Sequence, residues 1–168
     1  MTVFDLRNVR VRSGEEHREA IDVEIAPVEL GGERYLAVPE KVPAELAVIR
    51  ASTGWVFELL LTVRLHGPCM RCLGDAVIEE TLSLREYQAT RPDTDELATP
   101  YLVDDRLDLS GWARDSLVLA LPDKILCRPD CAGLCPECGK DLNAEPHTHG
   151  DEESDPRWAA LAELKDRL

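Results

Sequence analysis

Four cysteines fall within the twelve residues from Cys127 to Cys138, in CRPDCAGLCPECGK, and two more stand far upstream in CMRC at Cys69 and Cys72. Six thiols so arranged serve disulfides, a redox pair or a metal, and each choice demands a different fold around them. At 168 residues the chain buries a hydrophobic core without covalent help, so disulfides are not required. The N-terminal MTVFDLRNVRVRSGEEH has no apolar run behind a basic patch, and no window approaches the length of a membrane span. The expected compartment is therefore a reducing cytoplasm, where a cysteine-rich pattern points to metal binding or catalysis and away from a disulfide framework.

Two cysteines separated by two residues can aim both sulfurs at one ion, because the turn between them folds its amides around the thiolates. CPECG carries Pro136 to stiffen that turn and Gly139 to take the positive φ that follows; CMRCL has the spacing without those aids. Cys127-x3-Cys131 and His147-x-His149 bring the ligand count to eight, enough for two tetrahedral zinc sites. The grouping with least chain closure puts Cys135, Cys138, His147 and His149 together, leaving Cys69, Cys72, Cys127 and Cys131 to clamp two distant segments. A swapped arrangement, with both Cys-x2-Cys knuckles on one ion, and a single zinc with two spare cysteines also satisfy the spacing. His66 is a distant further ligand candidate, and His17 reads as a surface residue.

Catalysis finds less support. A redox Cys-x-x-Cys opens a helix after a strand, and neither pair has that context. A fully liganded, cysteine-rich zinc offers little Lewis acidity. No Gly-rich phosphate loop, nucleophile elbow or H-E-x-x-H occurs. A zinc-dependent RNA-processing or redox enzyme is the alternative from that class.

The first half reads as strands. In WVFELLLTVRLH, Trp55, Phe57, Leu59, Leu61, Val63 and Leu65 share one face against Glu58, Thr62, Arg64 and His66, the period of a half-buried strand. AVIEETLSLREY does the same with Ala76, Ile78, Leu82 and Leu84. Gly67, Pro68 and Gly74 frame a turn between them, which sets Cys69 and Cys72 at a hairpin tip. ELAVIRAS and IDVEI add strands, with a turn at Gly31 and Gly32. Residues 91–107 read as an acidic loop. Asp108 then caps a helix whose apolar stripe is Leu109, Trp112, Leu117 and Leu121, with Pro122 beyond its end. A second helix starts at Asp155 and Pro156. The fold class expected is α+β, an antiparallel β-sheet or partly open barrel with a few helices and zinc-knuckle loops. Residues 1–90 form the β region and 108–168 the helix, cysteine-rich loop and C-terminal helix, in one domain overall.

Charge bounds the partner. With 33 Asp and Glu against 19 Lys and Arg, the formal net is −14, which argues against non-specific attraction to DNA or RNA phosphates. It favours a basic protein partner, for which Asp93 to Glu96 and Asp151 to Asp155 are candidate docking segments. Arg71 and Lys140, standing out of the acidic background beside the knuckles, are the candidates for direct, weak RNA contact.

The order CMRCL, LDLSGWARDSLVLALP, CRPDCAGLCPECGKDLN and DPRWAALAEL resembles the YceD-type family of large ribosomal RNA subunit accumulation proteins over residues 50–168. The resemblance implies a small cytoplasmic bacterial protein, or an organellar one in plants, needed for normal accumulation of large-subunit (23S) ribosomal RNA and hence for ribosome assembly. It implies a ribosomal protein or assembly factor as partner. Family members often carry Cys-x-Cys where this chain has His147 and His149, and imidazole can replace thiolate at zinc.

Overall fold

The computed structural model describes residues 1–94 and 97–149. The helix expected from Asp155, the acidic run Asp151 to Asp155, and Asp95 and Glu96 lie outside the described residues. The chain divides into two compact units, Met1–Cys131 and Ala132–Leu168.

The first unit is built on antiparallel strands β1 (Val3–Asp5), β2 (Glu16–Glu24), β3 (Val28–Leu30), β4 (Glu33–Ala37), β5 (Lys41–Arg50), β6 (Gly54–Pro68), β7 (Asp75–Ala89), β8 (Leu102–Val103) and β9 (Arg106–Asp108). Six form one sheet in the order β2-β5-β6-β4-β3, with β7 paired along the whole of β6 from Gly54↔Ala89 to Pro68↔Asp75. β1, β9 and β8 make a separate three-stranded sheet, and neither sheet closes into a barrel. The fold is α+β, mostly antiparallel sheet with one α-helix among the described residues.

The alternation of β6 decides which face is core. Phe57, Leu59, Leu61, Val63 and Leu65 are all buried, and Thr62, Arg64 and His66 between them are exposed. At about 25 cal/mol per Å² of apolar surface, each such side chain contributes on the order of 2 kcal/mol. Trp55, at the strand's start, is only half-buried. On β7, Ala76 and Leu82 are buried, whereas Ile78 and Leu84 pack partly against the core. Gly31 and Gly32, at φ 62 and 86, make the β3–β4 turn.

Helix α1 (Leu109–Ala120) lays Leu109, Trp112, Ala113 and Leu117 on that core. The Asp108 carboxylate accepts from the Gly111 N–H at 3.0 Å, capping the helix start, and the chain leaves the helix at Leu121, one residue before Pro122. Two features departed from expectation. Residues 91–107 are not loop throughout: β8 and most of β9 fall there, joined by Asp104 and Asp105, both at positive φ. Alternation needs several residues to register, so strands of two or three residues leave no period to read. The second departure is that the glycine turn joins two strands, Val28–Leu30 and Glu33–Ala37, of three and five residues, also too short to show a clear period.

Candidate metal centre

All eight sequence-indicated ligands fall into two groups of four, each inside one compact unit. Cys69, Cys72, Cys127 and Cys131 form one group; Cys135, Cys138, His147 and His149 form the other. Within each group the ligand atoms lie within 4.8 Å of one another, close enough to hold a metal ion. His17 and His66 belong to neither: His17 stacks on Phe4, and His66 pairs Leu36 and Val77 across the sheet.

The knuckles of the two groups share one backbone pattern. Cys69 N–H donates to the Gly74 carbonyl at 2.6 Å and accepts in return, through its own carbonyl, from Leu73 N–H at 2.9 Å. Cys135 N–H donates to the Lys140 carbonyl at 2.8 Å, and Gly139 N–H to the Cys135 carbonyl at 2.9 Å. The residue four after the first cysteine must take a positive φ, and Gly139 does so at 71. In the hairpin knuckle that position is Leu73, at φ 59, a conformation that costs an L-residue with a side chain about 1–2 kcal/mol. The missing glycine therefore did not prevent the turn, because the strands of the hairpin below impose it.

The hairpin tip is strapped to the segment that follows α1. Met70 N–H donates to the Ile125 carbonyl at 2.9 Å, and Ile125 N–H points at the Met70 thioether at 3.4 Å. The Arg71 guanidinium donates to the Cys131 carbonyl at 2.7 Å. Across this joint Cys69 and Cys131 sulfurs are 3.8 Å apart, and those of Cys72 and Cys127 3.7 Å. Nothing in the sequence marked Met70 or Arg71 for these tasks, since both act through contacts some sixty residues away.

In the second group Ala132 N–H donates to the Asn143 side-chain oxygen at 2.8 Å, and Leu142 N–H to the Gly133 carbonyl at 2.9 Å, folding the loop back on itself. His147 Nδ1 lies 2.7 Å from the Glu145 carbonyl, so Nδ1 donates its proton there and Nε2, 3.1 Å from the Cys138 sulfur, keeps its lone pair for a cation. His149 Nδ1 is 3.3 Å from the Glu137 carboxylate, an equivalent orienting contact. These outer partners were not foreseen; the only hint was their place between the ligands.

Electrostatics ready one thiol of each group. Burial disfavours the Cys69 thiolate, but the N–H groups of Cys127, Cys72 and Arg71 outweigh it and bring the thiol down to about 6. At Cys135 the Cys138 N–H is the main cause, opposed by burial and assisted by Glu137, and the thiol again falls to about 6. Desolvation, with hydrogen bonds from Cys131 and the other thiols, pushes Cys127 up to about 12. His147 is raised by the Glu145 carbonyl and then by Cys135. A dication deprotonates the remaining thiols outright, so the donor sets, four sulfurs in one and two sulfurs with two imidazoles in the other, fit a borderline-soft tetrahedral ion. Neither of the two basic groups marked for RNA contact is free: Arg71 holds Cys131, and Lys140 pairs with Glu145 at 2.9 Å.

An antiparallel α+β protein with two compact four-donor Cys/His groups, one of them joining a hairpin tip to a distant segment, is the class these observations define. The chain belongs to the family described as large ribosomal RNA subunit accumulation protein YceD, whose model matches residues 57–165. It is 41% identical over 125 residues to uncharacterized proteins of Mycobacterium bovis and Mycobacterium tuberculosis, covering 71% of this chain and 60% of theirs. An uncharacterized protein of Mycobacterium leprae is 37% identical over 101 residues, 57% of this chain and 46% of that one. The chain thus spans about half to three-fifths of the length of these curated relatives. No solved structure matches it. Among the described residues no helix is long and apolar enough to cross a membrane.

Proposed function

We propose that the protein is a non-enzymatic cytoplasmic factor supporting accumulation of large-subunit (23S) ribosomal RNA and assembly of the large ribosomal subunit, with two structural zinc ions. The family match over residues 57–165 carries the ribosomal part of this reading. The metal part is supported by the two four-donor groups, and zinc is favoured because thiolate and imidazole donors suit it and because four protein ligands complete its shell. A closed shell leaves no position for substrate, which favours a structural role over catalysis.

The residues proposed as ligands are Cys69, Cys72, Cys127 and Cys131 for one ion and Cys135, Cys138, His147 and His149 for the other. Met70, Arg71, Glu137 and Glu145 orient them. The partner is a basic ribosomal protein or assembly factor, attracted by a surface of net charge −14. Arg71 and Lys140 offer little to naked RNA, because one donates to the Cys131 carbonyl and the other pairs with Glu145 at the surface. Affinity capture from growing cells at moderate salt, with and without ribonuclease, tests this. Ribosomal proteins or assembly factors retained after ribonuclease agree with it; loss of every partner on ribonuclease treatment would show that RNA, not protein, is what the surface holds.

A further inference from the structure

One end of the six-stranded sheet gathers four arginines that make no ion pair among the described residues. The order β2-β5-β6, with β7 along β6, brings four segments side by side there. Gly14 N–H donates to the Arg50 carbonyl at 2.7 Å, Arg50 N–H to the Glu15 carbonyl at 3.0 Å, and Thr90 N–H to the Thr53 carbonyl at 2.9 Å. Glu15 N–H in turn donates to the Arg12 carbonyl at 2.9 Å. At about 4.8 Å per strand step, the backbones carrying Arg12, Arg50 and Arg91 spread over roughly 15 Å of this end. Arg10 lies two residues before Arg12.

Several arginines elsewhere are matched, with Arg18, Arg64, Arg85 and Arg114 each against a carboxylate, while Arg34 and Arg106 stand singly without an ion pair among the described residues. Among the described residues Arg10, Arg12, Arg50 and Arg91 make no ion pair. Of the neighbouring acids, Glu16 pairs with Arg18, whereas Glu15 accepts from the Arg12 backbone N–H at 2.7 Å and keeps its charge beside the four arginines. Arg10, Arg12 and Arg91 are exposed. Arg50 is half-buried, its guanidinium carbon 4.5 Å from the centroid of the Trp55 ring, and Trp55 is itself packed partly against the core. Tyr87 hydroxyl donates to Thr53 Oγ1 at 2.9 Å beside it.

We propose that this end of the sheet is a contact site for single-stranded RNA. Arg10, Arg12 and Arg91 meet phosphates, for which the guanidinium fork is suited, and Arg50, backed by Trp55, lies against an unpaired base. A guanidinium held on an aromatic ring is the kind of surface that unstacked bases cover, and duplex RNA keeps its bases enclosed. An acidic peptide would use the charges but not the Arg50–Trp55 stack. The site is independent of the metal centres, and with a chain of net −14 around it the affinity is modest, drawn from a few local contacts.

Anisotropy of a labelled, unstructured oligouridine, titrated with the metal-loaded 168-residue chain at several salt concentrations, decides the matter. Arg12→Gln with Arg91→Gln leaves the Arg50–Trp55 stack intact and should weaken binding about tenfold. It should also flatten the slope of log affinity against log salt by about 1.4, at about 0.7 per lost phosphate contact on a single strand. Arg64→Gln with Arg85→Gln, on the sheet's outer face, removes the same charge and should leave affinity within about twofold. Arg50→Ala should weaken binding further, with far-UV circular dichroism and ion content as the check on folding; if it does not fold, the double variant still decides. The proposal is overturned if the wild type shows no salt-dependent binding, if the Arg12/Arg91 variant binds like the wild type, or if both double variants lose affinity equally. Competition by polyglutamate as effective as by oligouridine would also overturn it, in favour of an acidic protein partner. Ion content and ribonuclease-resistant capture read the proposed function separately.

Discussion

Replacing Cys127 by serine isolates what the first metal ion contributes. Cys127 is exposed, so the substitution opens no cavity, whereas Cys69 and Cys131 are fully buried and would confound ion loss with packing. An ion held by this group would tie Cys72 to Cys127 across 55 residues. Treated as a cross-link on the unfolded chain, a loop of that length is worth about 4 kcal/mol as an upper figure, and 2–4 kcal/mol is the expected loss. For a chain of this size that lowers Tm by about 5–15 °C. An ion in the second group would close only the stretch from Cys135 to His149, about four times shorter, so its loop term would be smaller by about 1.2 kcal/mol, two doublings at about 0.6 each. Cys138→Ser, also at an exposed sulfur, should therefore shift the melt less than Cys127→Ser. The assay is a thermal melt followed by far-UV circular dichroism, paired with elemental analysis of the same samples. Because the β6–β7 core is large, the first unit should still fold without its ion. An ion lost with no change in melting, or complete unfolding of the Cys127→Ser chain at room temperature, would refute the reasoning.

Changing His147 and His149 together to Ala should remove one zinc per chain and spare the other, read by native mass spectrometry. Leu73→Gly should be neutral or stabilising by up to about 1 kcal/mol in urea denaturation, because Leu73 is 60% exposed and its positive φ is strained; a loss above about 1 kcal/mol would mean that its side chain packs after all. Gly67→Ala should cost about 1–3 kcal/mol, since the added carbon collides with the ring of fully buried Tyr35, whereas Gly32→Ala meets no atom and pays only for its φ of +86. Acidification should release both ions: every ligand must be deprotonated, so metal affinity falls as pH falls, and a zinc indicator should report little release at pH near 8 and full release well below pH 5.

The knuckles were legible because their chemistry is local. Two cysteines at a spacing of three, with Pro136 and Gly139 about them, state their geometry in five residues. The β6 face was legible for a similar reason: from Phe57 to His66 buried residues alternate with exposed or half-buried ones, which leaves one reading. The hydrogen bonds that link Met70 to Ile125 and Arg71 to Cys131 were not, because they depend on where a distant segment arrives. The arginine end of the sheet was likewise hidden, since Arg12, Arg50 and Arg91 are separated by some forty residues each and only strand order brings them together. Arg71 and Lys140, conspicuous in sequence, proved to be held by a carbonyl and a carboxylate.

The ratio of large- to small-subunit ribosomal RNA, measured in cells lacking this protein and in the same cells supplied with the wild-type or the Cys69→Ser/Cys135→Ser chain, bears most directly on the central claim. The account requires that the ratio fall on loss, recover with the wild type and recover poorly with the variant that cannot hold metal. Cys127→Ser/Cys138→Ser, at exposed sulfurs, must recover as poorly as the buried pair for metal and not packing to be the cause. An unchanged ratio in cells without the protein would contradict it.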